Sequence, residues 1–179
     1  ILYVSRLENR KGTLAFLKSL PLIYKQCPNI QVDIIGSDRS HAPGNIQFRQ
    51  YFKQNFNDLS DVVTFHGFVD DKTLDRFYNN ADLFVVPSVY ESFGLIYVEA
   101  MMYGLPSIAT KGGGIPEVIT DGVDGFTTDI NSSEQITARV MEFTNNKALL
   151  TNMGIAARES FECKFDYWIM SRNLLLYTS

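Results

Sequence analysis

Six short apolar runs, each followed by a longer amphipathic stretch, constrain this chain more than any other feature. The runs are Ile1–Val4, Val32–Ile35, Val62–Phe65, Leu83–Val86, Ser107–Ala109 and Gly125–Thr128. Each has strand length and little polar alternation, the pattern of strands covered by helices on both faces. The stretches between them carry helical spacing. Gly12–Gln26 places Leu14, Leu17, Leu20 and Leu22 on one coarse stripe, with Pro21 as a candidate kink. Asp70 is placed to cap a helix over Thr73–Asn80 that turns Leu74, Phe77 and Tyr78 inward. Gly94–Tyr103 reads as a helix ended by Gly104, with Pro106 just beyond. Ser132 and Glu134 open another at about Ile136–Thr144, and Leu149–Phe161 and Tyr167–Tyr177 complete the set. Strand–helix alternation of this kind predicts an α/β fold, a doubly wound parallel six-stranded sheet with helices on both faces, Rossmann-like, joined by right-handed crossovers. There is no internal repeat, low-complexity tract or linker, so residues 1–179 read as a single domain large enough to bury a core.

A formal net charge of -4 gives no general attraction to nucleic acid or anionic lipid, so nucleic acid is not an expected partner. An anion site must instead be built locally, from a few cations and backbone amides. No apolar run approaches the ~18 residues of a membrane span, and no signal-peptide pattern is present, which makes a cytoplasmic location the expectation. Cys27 and Cys163 match neither a redox nor a zinc spacing and are expected to be buried or half-buried thiols in a reducing compartment. Ile1–Val4 is a core strand with no initiator Met and no lead-in, so the chain is expected to be cut from something longer.

Ligands of doubly wound sheets sit beyond the carboxyl ends of the strands, so the loops after each strand carry the information. The first, Ser5 to Gly12, brings Arg6 and Lys11 to the crevice end of a strand. A forked guanidinium and a point-charge ammonium suit a diphosphate. The loop is neither a dinucleotide fingerprint nor a P-loop. After the fourth strand comes Pro87 to Gly94, whose glycine opens a helix with free N–H groups for phosphate oxygens. Glu91 precedes that helix and Glu99 lies about one and a half turns into it. A carboxylate accepts hydrogen bonds from a vicinal diol, so one could hold a sugar and the other a ribose. The apolar neighbours Val98, Ala100 and Met101 predict a half-buried Glu99. After the fifth strand, Gly112, Gly113 and Gly114 permit a tight path with bare amides, and Pro116 fits the first turn of a short helix. At the end of the third strand Gly67 lets the backbone of Phe68 and Val69 approach a flat group. His66 beside it has no partner His, Cys or acid nearby in sequence and reads as structural.

Taken together, the Ser5–Gly12 loop, the two glutamates separated by Ser92–Val98, and the Gly113–Ile119 segment resemble the C-terminal domain of a large family of retaining glycosyltransferases. This is family 4 of the GT-B fold, which includes sucrose and glycogen synthases and phosphatidylinositol mannosyltransferases. The resemblance runs over the whole chain. It implies that Arg6 and Lys11 hold the donor diphosphate and offset charge on the leaving nucleotide, and that Glu91 acts with them in catalysis by binding hydroxyls of the transferred sugar. It further implies that Gly94, Leu95 and Ile96 add backbone amides to the phosphates, with Ser92 and Phe93 in the same donor-binding loop. Glu99 would bind the ribose, Gly36, Gly67, Phe68 and Val69 would border the base, and Gly113 and Gly114 would shape the sugar pocket. No metal or other cofactor is implied; the donor is a nucleotide sugar such as a UDP- or GDP-sugar, and Asp70-Asp71 reads as a helix cap rather than a metal motif. The resemblance places the acceptor site, for a glycan or lipid-linked glycan in polysaccharide synthesis, on an N-terminal domain that this chain lacks. It predicts exposed apolar surface at Trp168 and Leu174–Tyr177, an isolated fragment that transfers no sugar, and peripheral contact of the full-length protein with the inner membrane face.

Other classes fit the same sheet. A nicotinamide-dependent dehydrogenase needs a different first loop. A sugar-nucleotide epimerase shares the architecture but not the paired glutamates with the basic loop. A non-catalytic nucleotide-binding domain should lack one of Arg6, Lys11, Glu91 and Glu99, and all four are here.

Overall fold

Apolar runs with no polar face must be covered on both sides, and the six runs achieve this as one parallel sheet. The structure is a computed structural model and describes residues 1–165. The strands are β1 (Leu2–Val4), β2 (Val32–Ile35), β3 (Val63–Gly67), β4 (Phe84–Val85), β5 (Ser107–Thr110) and β6 (Gly125–Thr128). Their order is β3-β2-β1-β4-β5-β6. Central positions are fully buried, Phe84, Val85, Ile108 and Ala109 among them.

The helices are α1 (Thr13–Gln26), α2 (Phe48–Asn55), α3 (Asp71–Asn80), α4 (Leu95–Met102), α5 (Ile115–Val118), α6 (Ser133–Asn145) and α7 (Lys147–Ser160), followed by a π-helical turn at Phe161–Phe165. Helix α1 packs on α6, and α4 packs on α7. The buried face of α1 is Phe16, Leu17, Leu20 and Ile23; Leu22, expected on that face, is exposed because it falls outside the 3.6-residue stripe. Pro21 does not end α1, which continues to Gln26. Helix α2 has no side-chain cap of its own and buries only Phe48 and Phe52, so no sequence pattern marks it. Of the two thiols, Cys27 is half-buried and Cys163, expected to be buried or half-buried, is exposed in the π turn. The expected helix at Tyr167–Tyr177 and the apolar surface at Trp168 and Leu174–Tyr177 lie outside the described residues.

Caps fall where short polar residues precede helices. Ser132 accepts from the N–H of Gln135 and opens α6, and Asn146 accepts from Leu149 and opens α7. Asp70 accepts the N–H of Thr73 at 2.8 Å, and α3 starts at Asp71 rather than Thr73. That bond holds the Asp70 carboxyl below its ordinary value of 3.8. The ionised form is the one that caps. Its contribution is therefore present above the ordinary value and lost as pH falls through the depressed one. Asp70→Asn keeps a cap acceptor but cannot titrate. The gap in thermal midpoint between wild type and this variant is expected to close on acidification, and a pH-independent gap would refute the assignment.

Candidate functional site

The strand order reverses between β1 and β4, which are adjacent in the sheet but far apart in sequence. Ligands bind at such switch points, where the loops after the two strands splay apart. Here the loops are laced together below the crevice. Val89 N–H donates to Arg10 O at 2.8 Å, and Arg10 Nη1 donates to Tyr90 O at 3.4 Å. Above this lacing Lys11 Nζ meets Glu91 Oε1 at 2.6 Å, with the two side chains only 12% and 11% exposed.

Glu91 is held from several sides. The buried Ser88 Oγ donates to the same Oε1 at 2.7 Å. Ser88 is fixed in turn by the Thr110 hydroxyl, which donates to its carbonyl, and Gly112 N–H donates to Thr110 Oγ1 at 3.1 Å. Gly114 N–H donates to Glu91 O at 2.8 Å, and Glu91 pairs with Gly113 as a short bridge. Glu91 Oε2 accepts nothing among the described residues, so one carboxylate oxygen is fixed by two donors and the other keeps its acceptor capacity. Lys11 sits on a floor made by Tyr3, whose hydroxyl bonds Lys11 O at 3.1 Å and Thr13 Oγ1 at 2.7 Å. Burial pushes the Tyr3 phenol above its usual range, so it remains a protonated donor.

Two glycines make the close approach possible. Gly94 caps α4 with φ +96°, and a Cβ there would meet the Tyr97 ring at 2.8 Å. Gly113 has φ +64°, and its Cβ would lie 2.2 Å from Glu91 O. With no side chain at Gly94, the amides of Leu95 and Ile96 open the first turn of α4 toward the crevice. Ser92 and the Leu95 side chain are exposed beside it, whereas Phe93 is half-buried and turns its ring edge-on to Phe165.

The remaining predicted residues are placed less tightly. Arg6 is 63% exposed and reaches Glu8 Oε1 at 3.4 Å rather than the Lys11–Glu91 pair. Glu99 is exposed, not half-buried as its apolar neighbours suggested. Those neighbours Ala100 and Met101 point into the core, and one residue back along α4 the helix faces out. Its Oε2 accepts from Tyr78 of α3 at 3.0 Å. At the end of β2, Gly36 N–H donates to Gly67 O of the edge strand β3 at 2.8 Å, next in sequence to Phe68, 87% exposed, and Val69, half-buried. His66 does have an acid partner: Asp33 on β2 bonds its Nε2 at 2.7 Å, and its ring packs on Phe77, a structural arrangement.

Ser88, Thr110 and Tyr78 were not singled out from sequence as parts of the site. Ser88 and Thr110 fall in the loops read after the fourth and fifth strands, and only the pairing of β4 with β5 joins them. Among the described residues no group of three or more His, Cys, Asp or Glu comes together to hold a metal ion, and no helix is long and apolar enough to cross a membrane.

Comparison with known proteins places the chain and its fold in a family. The chain is 32% identical to spore coat protein SA of Bacillus subtilis, over 98% of this chain and 47% of that protein. It is 35% identical to a D-inositol 3-phosphate glycosyltransferase of Paenarthrobacter aurescens, over 72% of this chain and 31% of that one. The chain thus spans less than half the length of these relatives. In structure it is similar to the C-terminal domain of a glycosyl transferase group 1 family protein, LpcC, from Francisella tularensis, with TM-score 0.83, 26% identity, and coverage of 93% and 86%. It is similar also to HepE of Anabaena, solved in complex with UDP and glucose, with TM-score 0.78, 25% identity, and coverage of 99% and 47%. The profile of the glycosyl transferases group 1 family matches residues 1–160. With a profile match over most of its length and a six-stranded parallel sheet like that of its structural neighbours, this chain belongs to the glycosyl transferases group 1 family.

Proposed function

We propose that this chain is the donor-binding half of a retaining, metal-independent hexosyltransferase, completed by an N-terminal acceptor-binding domain that lies outside it. The observation that carries the reading is the part-buried Lys11–Glu91 pair at the β1/β4 crevice, beside the open first turn of α4. In this reading the diphosphate of a nucleotide sugar sits on the amides of Leu95 and Ile96. Lys11 has three donors, so it keeps Glu91 and still binds a phosphate oxygen. Arg6 swings from Glu8 to a second oxygen. Both cations then stabilise charge as it builds on the leaving nucleotide. The free Oε2 of Glu91 accepts from hydroxyls of the transferred sugar, and the Gly113–Gly114 loop closes around it. At the ends of β2 and β3, Gly36, Gly67, Phe68 and Val69 border the base, and Glu99 of α4 is the ribose acceptor. The UDP and glucose bound in a HepE structure support a nucleotide-sugar donor. The acceptor is a glycan or lipid-linked glycan, met at the inner face of the cytoplasmic membrane.

Calorimetric titration with UDP, GDP and ADP tests this reading. One nucleotide is expected to bind in preference to the others, and Glu99→Ala is expected to weaken it about tenfold. Equal or undetectable binding of all three, both by this chain and by a longer form carrying the companion domain, would overturn the proposal. Efficient sugar transfer by the chain alone would overturn the need for that domain.

A further inference from the structure

We infer that Tyr78 is a positioning residue for the ribose of the bound nucleotide, acting through Glu99. This rests on the reading of Glu99 as the ribose acceptor. Tyr78 lies near the end of α3 and Glu99 in the second turn of α4, 21 residues apart in sequence. Helical side chains lean toward the N-terminus of their own helix, and both helices begin at the crevice edge of the sheet. The lean carries the Tyr78 phenol back along α3 from its C-terminal end, and its hydroxyl donates to Glu99 Oε2 at 3.0 Å.

The phenol is unusually well fixed, while its partner is exposed. Tyr78 is 3% exposed. Its ring stacks on Tyr103 at 5.0 Å with planes 7° apart, and lies against Phe84 at 5.9 Å. Tyr103 is anchored by its own hydroxyl, which donates to Asp75 Oδ1 on α3. An exposed glutamate on a helix ordinarily samples several rotamers and loses that freedom on binding a ligand. Here one oxygen is tied to a buried ring, and Oε1 has no hydrogen-bond partner among the described residues. Burial and the adjacent carboxylate push the Tyr78 phenol above its usual range, so the donor is never lost near neutral pH.

Tyr78→Phe removes the hydroxyl and keeps the stacked ring. The test measures affinity for UDP, GDP or ADP, whichever binds, and for the 2′,3′-dideoxy form of the same nucleotide, in wild type, Tyr78→Phe, Glu99→Ala and the double variant. Tyr78→Phe is expected to weaken the ribonucleotide about threefold to tenfold, to leave the dideoxy form unchanged, and to have no effect once Glu99 is alanine. Equal weakening of both nucleotides would overturn the inference, because a merely structural phenol would disturb both. Glu99→Ala weakening the ribonucleotide while Tyr78→Phe does not would overturn the positioning role alone. Glu99→Ala leaving both unchanged would remove the ribose reading and the inference together.

Discussion

Lys11→Ala is expected to abolish measurable nucleotide binding by this chain and, in the intact enzyme, to lower turnover by roughly 10²–10³-fold, the usual effect of removing one preorganised donor to developing charge. The cause is that Lys11 is the most enclosed cation of the crevice, 12% exposed and 2.6 Å from Glu91, whereas Arg6 is 63% exposed and paired only with Glu8. The same substitution strips Glu91 of its ionic partner and leaves Ser88 as the lone donor to Oε1. Fully buried pairs cost about 3–5 kcal/mol to break in this way. The crevice admits water to both side chains, so the expected loss of stability is smaller, about 1–3 kcal/mol. The two effects separate in the double variant Lys11→Ala/Glu91→Gln. Removing the stranded charge should restore much of the stability, read by chemical denaturation, while nucleotide affinity stays lost. A double variant as unstable as the single would show that the pair does not stabilise the loops as an ion pair. Unchanged affinity in Lys11→Ala would show that the diphosphate sits elsewhere.

The second large effect belongs to Gly12, which ends the first loop and caps α1 with φ +69°. A Cβ there would lie 1.9 Å from Pro87 O and 2.5 Å from its carbonyl carbon, both backbone atoms of the loop after β4. Gly12→Ala therefore carries two penalties. The left-handed conformation costs about 1–2 kcal/mol for a residue with a side chain, and forcing the loops apart costs about 1–3 kcal/mol more. Gly122 isolates the first penalty, since it has φ +77° and nothing within 4 Å of its would-be Cβ. Denaturation midpoints at constant slope should show Gly12→Ala destabilised by about 2–5 kcal/mol and Gly122→Ala by about 1–2 kcal/mol. Gly12→Ala should also weaken nucleotide binding, because the atoms it separates carry Lys11 on one side and Glu91 on the other. Equal destabilisation of the two variants would mean that the loop contact yields at no cost.

The sheet was readable because strands buried on both faces leave continuous apolar runs, and β2 and β6 coincide with runs marked from the sequence. Asp70 and Ser132 were readable as caps because capping is local, between residues three apart. Helix α2 was not readable for the opposite reason. Gln47 at its start makes no side-chain cap, and the amides of Phe48 and Arg49 are satisfied at 2.8 Å by the carboxylate of Asp38, ten residues earlier. With only Phe48 and Phe52 buried, its apolar stripe is too sparse to announce a helix. The exposure of Glu99 was misjudged because apolar neighbours along a helix point in different directions from the residue between them.

By itself the sequence determined the parallel α/β sheet, the loops at its carboxyl edge, and the residue types those loops carry, since each follows from local spacing and from which faces must be covered. Only the tertiary structure decided the partnerships. Lys11 and Glu91 are 80 residues apart and meet because β1 and β4 are neighbours in the sheet. Asp33 finds His66 across β2 and β3, and Tyr78 finds Glu99 across two helices. A hydrogen bond acts over about 3 Å, and linear order does not specify which strands or helices will lie that close.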